Sequence, residues 1–497
     1  MIPAADAPAG AAAAPPGRTI FGQPFGIATL FLTEMWERFT FYGMRAILIL
    51  FMTTGVAAGG LAIPDAAASA IYGLYLGSTY LLGLGGGWIA DRLLGSQRAV
   101  LSGGLLIMVG NALLALNDTG VFFVGLAVIV LGVGLLKPNV SALVASLYPE
   151  GGARRDAGFS VFYMGINSGA TLGSVLVPLC AQRFGWHWGF ALPALGMAFG
   201  VAQFLASRRH LHGAGLAPVD KRGSWTPVIA FLALLAVLVA LMLSGRLRVN
   251  PVELARLATY GYGLLALAYF IYLLGFAGLD RIERGRVLVV LALFAGSVMF
   301  WAGYEQQGAS FNLFAQRYTD LQLLGWQVPP GVLQAVNPFF VIALSPVFAW
   351  LWISLGRRGV DLPAATKFGF GLIFLGLGFL VMYFASRHVL AGETVLPTWL
   401  ICTYLLHTMG ELCLSPVGLS YMSKLAPPRF VGQMMGLWFL SLALGDNVAG
   451  QLSGHYDSSH LESLPTLFSQ VFCYAVIAGA VMLLLTPLSR RLMAGVK

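Results

Sequence analysis

Residues Thr33–Arg45 read TEMWERFTFYGMR and lie inside the otherwise apolar stretch 24–53. At about 100° per residue, Glu34, Glu37, Arg38, Phe41, Tyr42 and Arg45 fall within one helical arc of about 140°. Two acids, two arginines and a phenol on one face cannot look onto lipid, so the face must meet a polar cavity or charges on other helices. A static clamp explains this poorly, because buried ion pairs add little net stability. A pathway through a bundle of spanning helices fits better.

The surrounding chain agrees. Of 497 residues 58% are hydrophobic and 10% charged, against about 25% charged in soluble domains. The mean hydropathy is +0.80. Disorder, a disulfide scaffold and an ordinary soluble enzyme are excluded. Stretches long enough to span as helices run at 24–53, 66–90, 97–117, 119–147, 157–183, 187–207, 224–244, 254–277, 287–316, 330–355, 367–386, 397–423, 430–453 and 464–489. They are too long for barrel strands, so the expectation is an all-α polytopic membrane protein with 14 transmembrane helices. Residues 1–20, Ala/Pro/Gly-rich and without a signal-peptide pattern, are expected to form a disordered tail. Cys180, Cys402, Cys413 and Cys473 lie in apolar stretches without CxxC spacing and read as buried small hydrophobes rather than a metal site or disulfide framework.

The net charge of +9 follows topology rather than a nucleic-acid patch. With a cytoplasmic N-terminus, 20 of the 29 Lys and Arg fall in cytoplasmic segments, six in outer loops and three (Arg38, Arg45 and Lys137) inside spans. The positive-inside rule therefore places both termini in the cytoplasm. The longest polar break is Arg208–Gly223, and another lies at Asp280–Arg286. The chain divides into a six-helix bundle at 21–208, a linker with a two-helix insert at 209–286, and a second six-helix bundle at 287–497. Two such bundles are a transporter architecture with the site between them. The insert helices, 224–277, read as a structural appendage.

Ionisable residues inside spans are functional candidates by default. Beyond the first span these are Lys137, Glu305, Glu411 and Asp446. Lys137 precedes Pro138, which opens the backbone ladder, and a lysine so deep calls for a carboxylate partner. Trp301 lies one turn before Glu305. His407 and Ser415 flank Glu411 by one turn each. Gly165, Gly169 and Gly173 repeat every four residues, a close-packing signature. Asn167 beside them has no apolar role and is a site candidate, as is Asn337.

Taken together, Glu34-x-x-Glu37-Arg38-Phe39-x-Phe41-Tyr42-Gly43, Lys137-Pro138-Asn139, Phe162-Tyr163-x-x-Ile166-Asn167-x-Gly169 and Gly410-Glu411-x-x-x-Ser415-Pro416 resemble the signatures of the proton-dependent oligopeptide transporter family. The segment GGWIADRLLGSQR, Gly86–Arg98, resembles the loop between the second and third helices of major facilitator transporters. The resemblance covers about 20–490 and implies a major facilitator fold and proton-coupled symport of di- and tripeptides into the cytoplasm across the inner (plasma) membrane. It implies proton-coupling roles for Glu34, Glu37, Arg38, Lys137 and Glu305. It further implies peptide contacts from Arg38, Tyr42, Arg45, Tyr80, Lys137, Asn167, Trp301, Asn337, Glu411, Ser415 and Trp438, with the cations receiving the peptide carboxylate or pairing with Glu34, and Glu411 at the peptide amino terminus. The first tyrosine of the family motif is Phe41 here, which removes one hydroxyl. Asp446 has no place in the family pattern.

The chemistry of the residues agrees: a zwitterionic peptide needs a cationic and an anionic pole, here contributed by opposite bundles. Partners are thus peptides, protons and the bilayer, with no cofactor, metal or nucleic acid, and a monomer is expected. Two other readings remain. One is a proton-coupled carrier of nitrate or a dicarboxylate on the same fold. The other is an intramembrane peptidase, against which stand the missing HExxH, GxSxG and Walker patterns.

Overall fold

In a bilayer every backbone amide must be satisfied within its own segment, which leaves helices as the economical solution for these apolar stretches. The computed structural model describes residues 19–20, 22–116, 118–148, 152–217, 223–323, 325–360, 362–456 and 461–493. The tail expected at 1–20 lies, Thr19 and Ile20 aside, outside the described residues.

Six helices come first: α1 Gly26–Thr53, α2 Asp65–Ile89, α3 Ser96–Leu114, α4 Thr119–Ser146, α5 Gly152–Phe184 and α6 Trp186–Ser207. Two follow, α7 Thr226–Leu243 and α8 Pro251–Gly275. The remainder are α9 Arg281–Tyr304, the short α10 Ser310–Tyr318, α11 Val336–Arg357, α12 Ala364–Leu390, α13 Thr398–Lys424, α14 Val431–Ser453, α15 Ser463–Leu484 and the short α16 Thr486–Leu492. Leaving out α10 and α16, this makes fourteen long helices among the described residues, as expected from hydropathy.

Two boundaries differ from expectation for identifiable reasons. Helix α9 starts at Arg281 rather than 287, because Asp280 and Glu283 form a capping box over a polar first turn. The expected span 287–316 is also not one helix. It breaks after Tyr304 into a 3-10 turn, Glu305–Gly308, before α10 resumes. A Cβ on Gly308 would lie 1.7 Å from Tyr72 Oη and 2.9 Å from Arg45 Nε, so only glycine lets this turn meet α1 and α2.

Helices α1 to α6 pack among themselves, with α1 against α5 and α6, and α3 against α4. The glycine column of α5 acts as its spacing suggested: a Cβ on Gly169 would stand 2.1 Å from Met35 O, and one on Gly173 2.2 Å from Phe39 O. Helices α9 and α11 to α15 form the second group, centred on α12 against α13 and α15. The groups meet chiefly where α2 crosses α14.

Among the described residues eleven spans are long and apolar enough to cross a membrane; α1, α2 and α14 fall outside that set. These three face protein across the seam between the groups, and α1 carries four charges, so their sequences are free to be less apolar. The insert is only partly an appendage. Helix α7 buries no residue, but α8 buries Ala255, Ala266, Phe270 and Leu273 against α2, α9 and α14. The expectation for the cysteines holds for Cys413 alone: Cys180 is half-buried, and Cys402 and Cys473 are exposed. A lipid-facing position is as apolar as a core one, so hydropathy does not separate them.

Candidate functional site

The charged stripe of α1 turns inward, with Glu34, Glu37, Arg38 and Arg45 all buried. Arg38 Nε is held by Glu34 Oε1 at 3.2 Å and by Glu37 Oε2, while its Nη2 has no hydrogen-bond partner among the described residues. Both acids are thus occupied by the arginine of their own helix. This leaves Lys137 of α4, expected to hold a carboxylate, with no ion pair within 4.0 Å among the described residues. Its Nζ instead sits 3.8 Å from the centroid of the Tyr80 ring.

Two turns further along α1, Arg45 reaches across the seam. Its Nη2 lies 2.7 Å from Glu305 Oε2, and its Nε donates to Tyr72 Oη at 2.6 Å. Asn312 of α10 supports the crossing by donating to Ala46 O at 2.9 Å. At the Asp65 end of α2, Arg317 makes a two-pronged pair with Asp65, at 2.7 and 2.8 Å. Two ion pairs therefore tie one group of helices to the other at that end.

The second group supplies the anionic pole. Glu411 Oε2 accepts from Tyr304 Oη at 2.6 Å and from Asn337 Nδ2 at 3.3 Å. Asn337 also donates to Thr408 Oγ1 at 2.9 Å. Neutral donors hold this carboxylate, and it has no ion pair among the described residues, so it is free to receive a cation. The Arg45 guanidinium also lies 5.6 Å from the centroid of the Tyr42 ring. No cluster of His, Cys, Asp and Glu among the described residues could hold a metal. A groove of about 720 Å³ along α8 and α9 is lined by apolar side chains such as Phe270, Leu274, Leu291 and Phe294 and contains none of these ionisable groups.

Comparison with known proteins accounts for this layout. A family model described as the POT family matches residues 97–467. The chain belongs to the POT family. It is 44% identical to "Peptide transporter YePEPT" of Yersinia enterocolitica subsp. palearctica over 96% of this chain and 97% of that one. It is 33% identical to a "Di-/tripeptide transporter" of Lactococcus lactis subsp. lactis over 97% and 98%. Among solved structures, a POT peptide transporter in complex with alafosfalin superposes with a TM-score of 0.88 at 40% identity, covering 97% and 98% of the two chains. A POT family transporter in complex with 5-aminolevulinic acid gives 0.85 at 31% identity, over 95% and 98%. The fold is that of the major facilitator transporters, and the protein is a multi-pass membrane protein.

In this POT family chain several of the expected residues are engaged within the protein itself. Asn167 is 6% exposed, and its amide donates to Tyr163 O of its own helix at 3.0 Å. Trp438 is 4% exposed and packs over Gly418, where a Cβ would meet its ring at 2.3 Å. Trp301 is buried edge-on against Tyr304 with centroids 5.1 Å apart, and its indole N–H has no hydrogen-bond partner among the described residues. Ser415 is half-buried one turn from Glu411. His407 is a core histidine, 0% exposed among Phe311, Phe379 and Tyr304.

Sequence does not single out Tyr72, Tyr304 and Thr408, nor the Asp65–Arg317 pair. Tyr304 was legible as the neighbour of Glu305 and one turn from Trp301. Tyr72 shares a side of α2 with Tyr80. Thr408 carried no comparable signal.

Proposed function

We propose that the chain imports di- and tripeptides into the cytoplasm with protons, by alternating access of its two helix groups, both termini being cytoplasmic. The observation that carries this reading is the placement of opposite poles. Arg38, Arg45 and Lys137 belong to α1 and α4, and Glu411 belongs to α13 with Tyr304 and Asn337 orienting it. A peptide bridging Lys137 and Glu411 would draw the groups together through its two charged ends.

Under the same orientation the Asp65 end of α2 faces outward, so the Arg45–Glu305 and Asp65–Arg317 pairs close the outer side. Glu305 is then the coupling acid. Ionised, it holds Arg45; protonated, it releases it, and a neutral acid crosses an apolar environment at lower cost than an ion. Each inward proton contributes about 2.3 kcal/mol per 100 mV of membrane potential, roughly a 50-fold accumulation at 1.4 kcal/mol per decade. The groups named for proton coupling are Glu34, Glu37, Arg38, Lys137 and Glu305. The protein acts on no covalent bond.

The test is uptake of a labelled dipeptide into proteoliposomes with and without an imposed inward proton gradient. Intact peptide should accumulate only with the gradient and be displaced by unlabelled di- and tripeptides. Displacement by nitrate or a dicarboxylate but not by peptide would overturn the reading in favour of an anion carrier.

A further inference from the structure

Asp446 lies on α14 where that helix crosses α2, the main contact between the two helix groups. It is 1% exposed. Neither carboxyl oxygen has a hydrogen-bond partner among the described residues, and no cation lies within ion-pairing distance. Every other central carboxylate has one or the other: Glu34 and Glu37 hold Arg38, Glu305 holds Arg45, and Glu411 accepts from Tyr304 and Asn337.

The crossing leaves no slack for rearrangement. A Cβ on Gly73 would stand 3.0 Å from Asp446 O and 2.9 Å from Gly450 Cα, and one on Gly77 2.7 Å from Ala443 O. The next residue, Asn447, is fixed from the far side by α8, donating to Ala255 O at 2.8 Å and Thr259 Oγ1 at 2.9 Å. The ionisable groups within electrostatic reach are Tyr72 and Tyr80 of α2, Tyr262 of α8, Glu305, Arg45 of α1 and Lys137 of α4. Of the cations, Arg45 is already bound to Glu305 and Lys137 stands over Tyr80.

A carboxylate ion in such a place would be desolvated and uncompensated, whereas the protonated acid carries no net charge to bury. We propose that Asp446 is a proton-binding site of the transport cycle, filled when the α2–α14 seam closes. When the seam is open, water reaches the carboxyl, and at high pH it gives its proton to that water and becomes a carboxylate. Closure requires the proton back. Its sense is opposite to that of Glu305, which must be ionised to hold the closed side through Arg45. The proposal rests on the alternating-access reading above.

The test isolates Asp446 in a Glu305→Gln background, which removes the opposing titration. Spin labels are placed on the Asp65 end of α2 and the Ser453 end of α14 of the full chain, with the four cysteines replaced. The label distance in proteoliposomes should move from the closed to the open population as pH rises, by up to tenfold per pH unit, the limit for one proton. Adding Asp446→Asn should make the closed–open distribution independent of pH, and Asp446→Glu should keep the response.

An unchanged pH response in Asp446→Asn, or no response before that substitution, would overturn the proposal. So would an Asp446→Asn protein that fails to fold, because the amide has the shape and neutrality of the protonated acid. Gradient-driven dipeptide accumulation by the wild type, measured in the same vesicles, reports separately on the transport reading.

Discussion

Arg45 Nη2 lies 2.7 Å from Glu305 Oε2, and the same arginine donates through Nε to Tyr72 Oη at 2.6 Å. One side chain of α1 thereby joins α2 to the turn between α9 and α10. Glu305→Gln keeps the shape of that partner but removes its charge and its titration. Counterflow exchange of labelled for unlabelled dipeptide should persist in this variant, while accumulation driven by a proton gradient should vanish. Accumulation at the wild-type level would remove Glu305 from the coupling step.

Lys137 has a ring rather than a carboxylate as its partner in this state, which leaves its charge available to a peptide carboxylate. A charge-assisted contact of this kind contributes about 1.5–3 kcal/mol. Lys137→Ala should therefore weaken binding of a free dipeptide by roughly 10- to 100-fold and change binding of the C-terminally amidated dipeptide far less. Competition assays with the two ligands on both proteins check this, and equal losses for both would contradict it.

Glu411 should govern recognition of the other end. Wild-type protein should bind N-acetylated dipeptides poorly, and Glu411→Gln should discriminate much less between free and acetylated forms. Tyr304→Phe removes the donor at 2.6 Å without removing the anion. The loss of one hydrogen bond to a charged group is about 1.5–3 kcal/mol, so the variant should bind free dipeptide more weakly yet keep the preference over the acetylated form. Loss of that preference in Tyr304→Phe would mean that the hydroxyl, rather than the carboxylate, meets the amino terminus.

Asp65 and Arg317 form a partly buried, two-pronged pair across the seam. Partial exposure limits its worth to about 1 kcal/mol or less, enough to shift a closed–open balance several-fold. Asp65→Asn and Arg317→Gln should each move labels at the Asp65 end of α2 and on α10 toward the open population. Exchanging the two residues, Asp65→Arg with Arg317→Asp, should restore the wild-type distribution. A double exchange that behaves like the single variants would show that the pair does not hold this end closed.

Hydropathy and helical periodicity were enough to read a polytopic helical protein, its fourteen long helices, the inward stripe from Glu34 to Arg45 and the glycine face of α5. These properties are local: they depend on residue type and a spacing of about 3.6 residues per turn, which the chain carries wherever it sits. The ionisable groups inside spans are legible in the same way, because burying a charge in lipid is costly anywhere.

Pairing was another matter. Sequence required a partner for Lys137 and could not see that Arg38 of the neighbouring turn already occupied Glu34 and Glu37. It placed Glu305 within a continuous helix, whereas contact with Tyr72 and Arg45 across the seam goes with a 3-10 turn that only Gly308 allows. It did not reveal that the Asn167 amide bonds its own helix or that Trp438 packs over Gly418. It gave no sign that Asp446 would meet α2 without a hydrogen-bond partner among the described residues. Each of these outcomes depends on distances between helices far apart in the chain. Those distances follow from how the two helix groups pack together, and one helix's periodicity carries no record of which face of another it will meet.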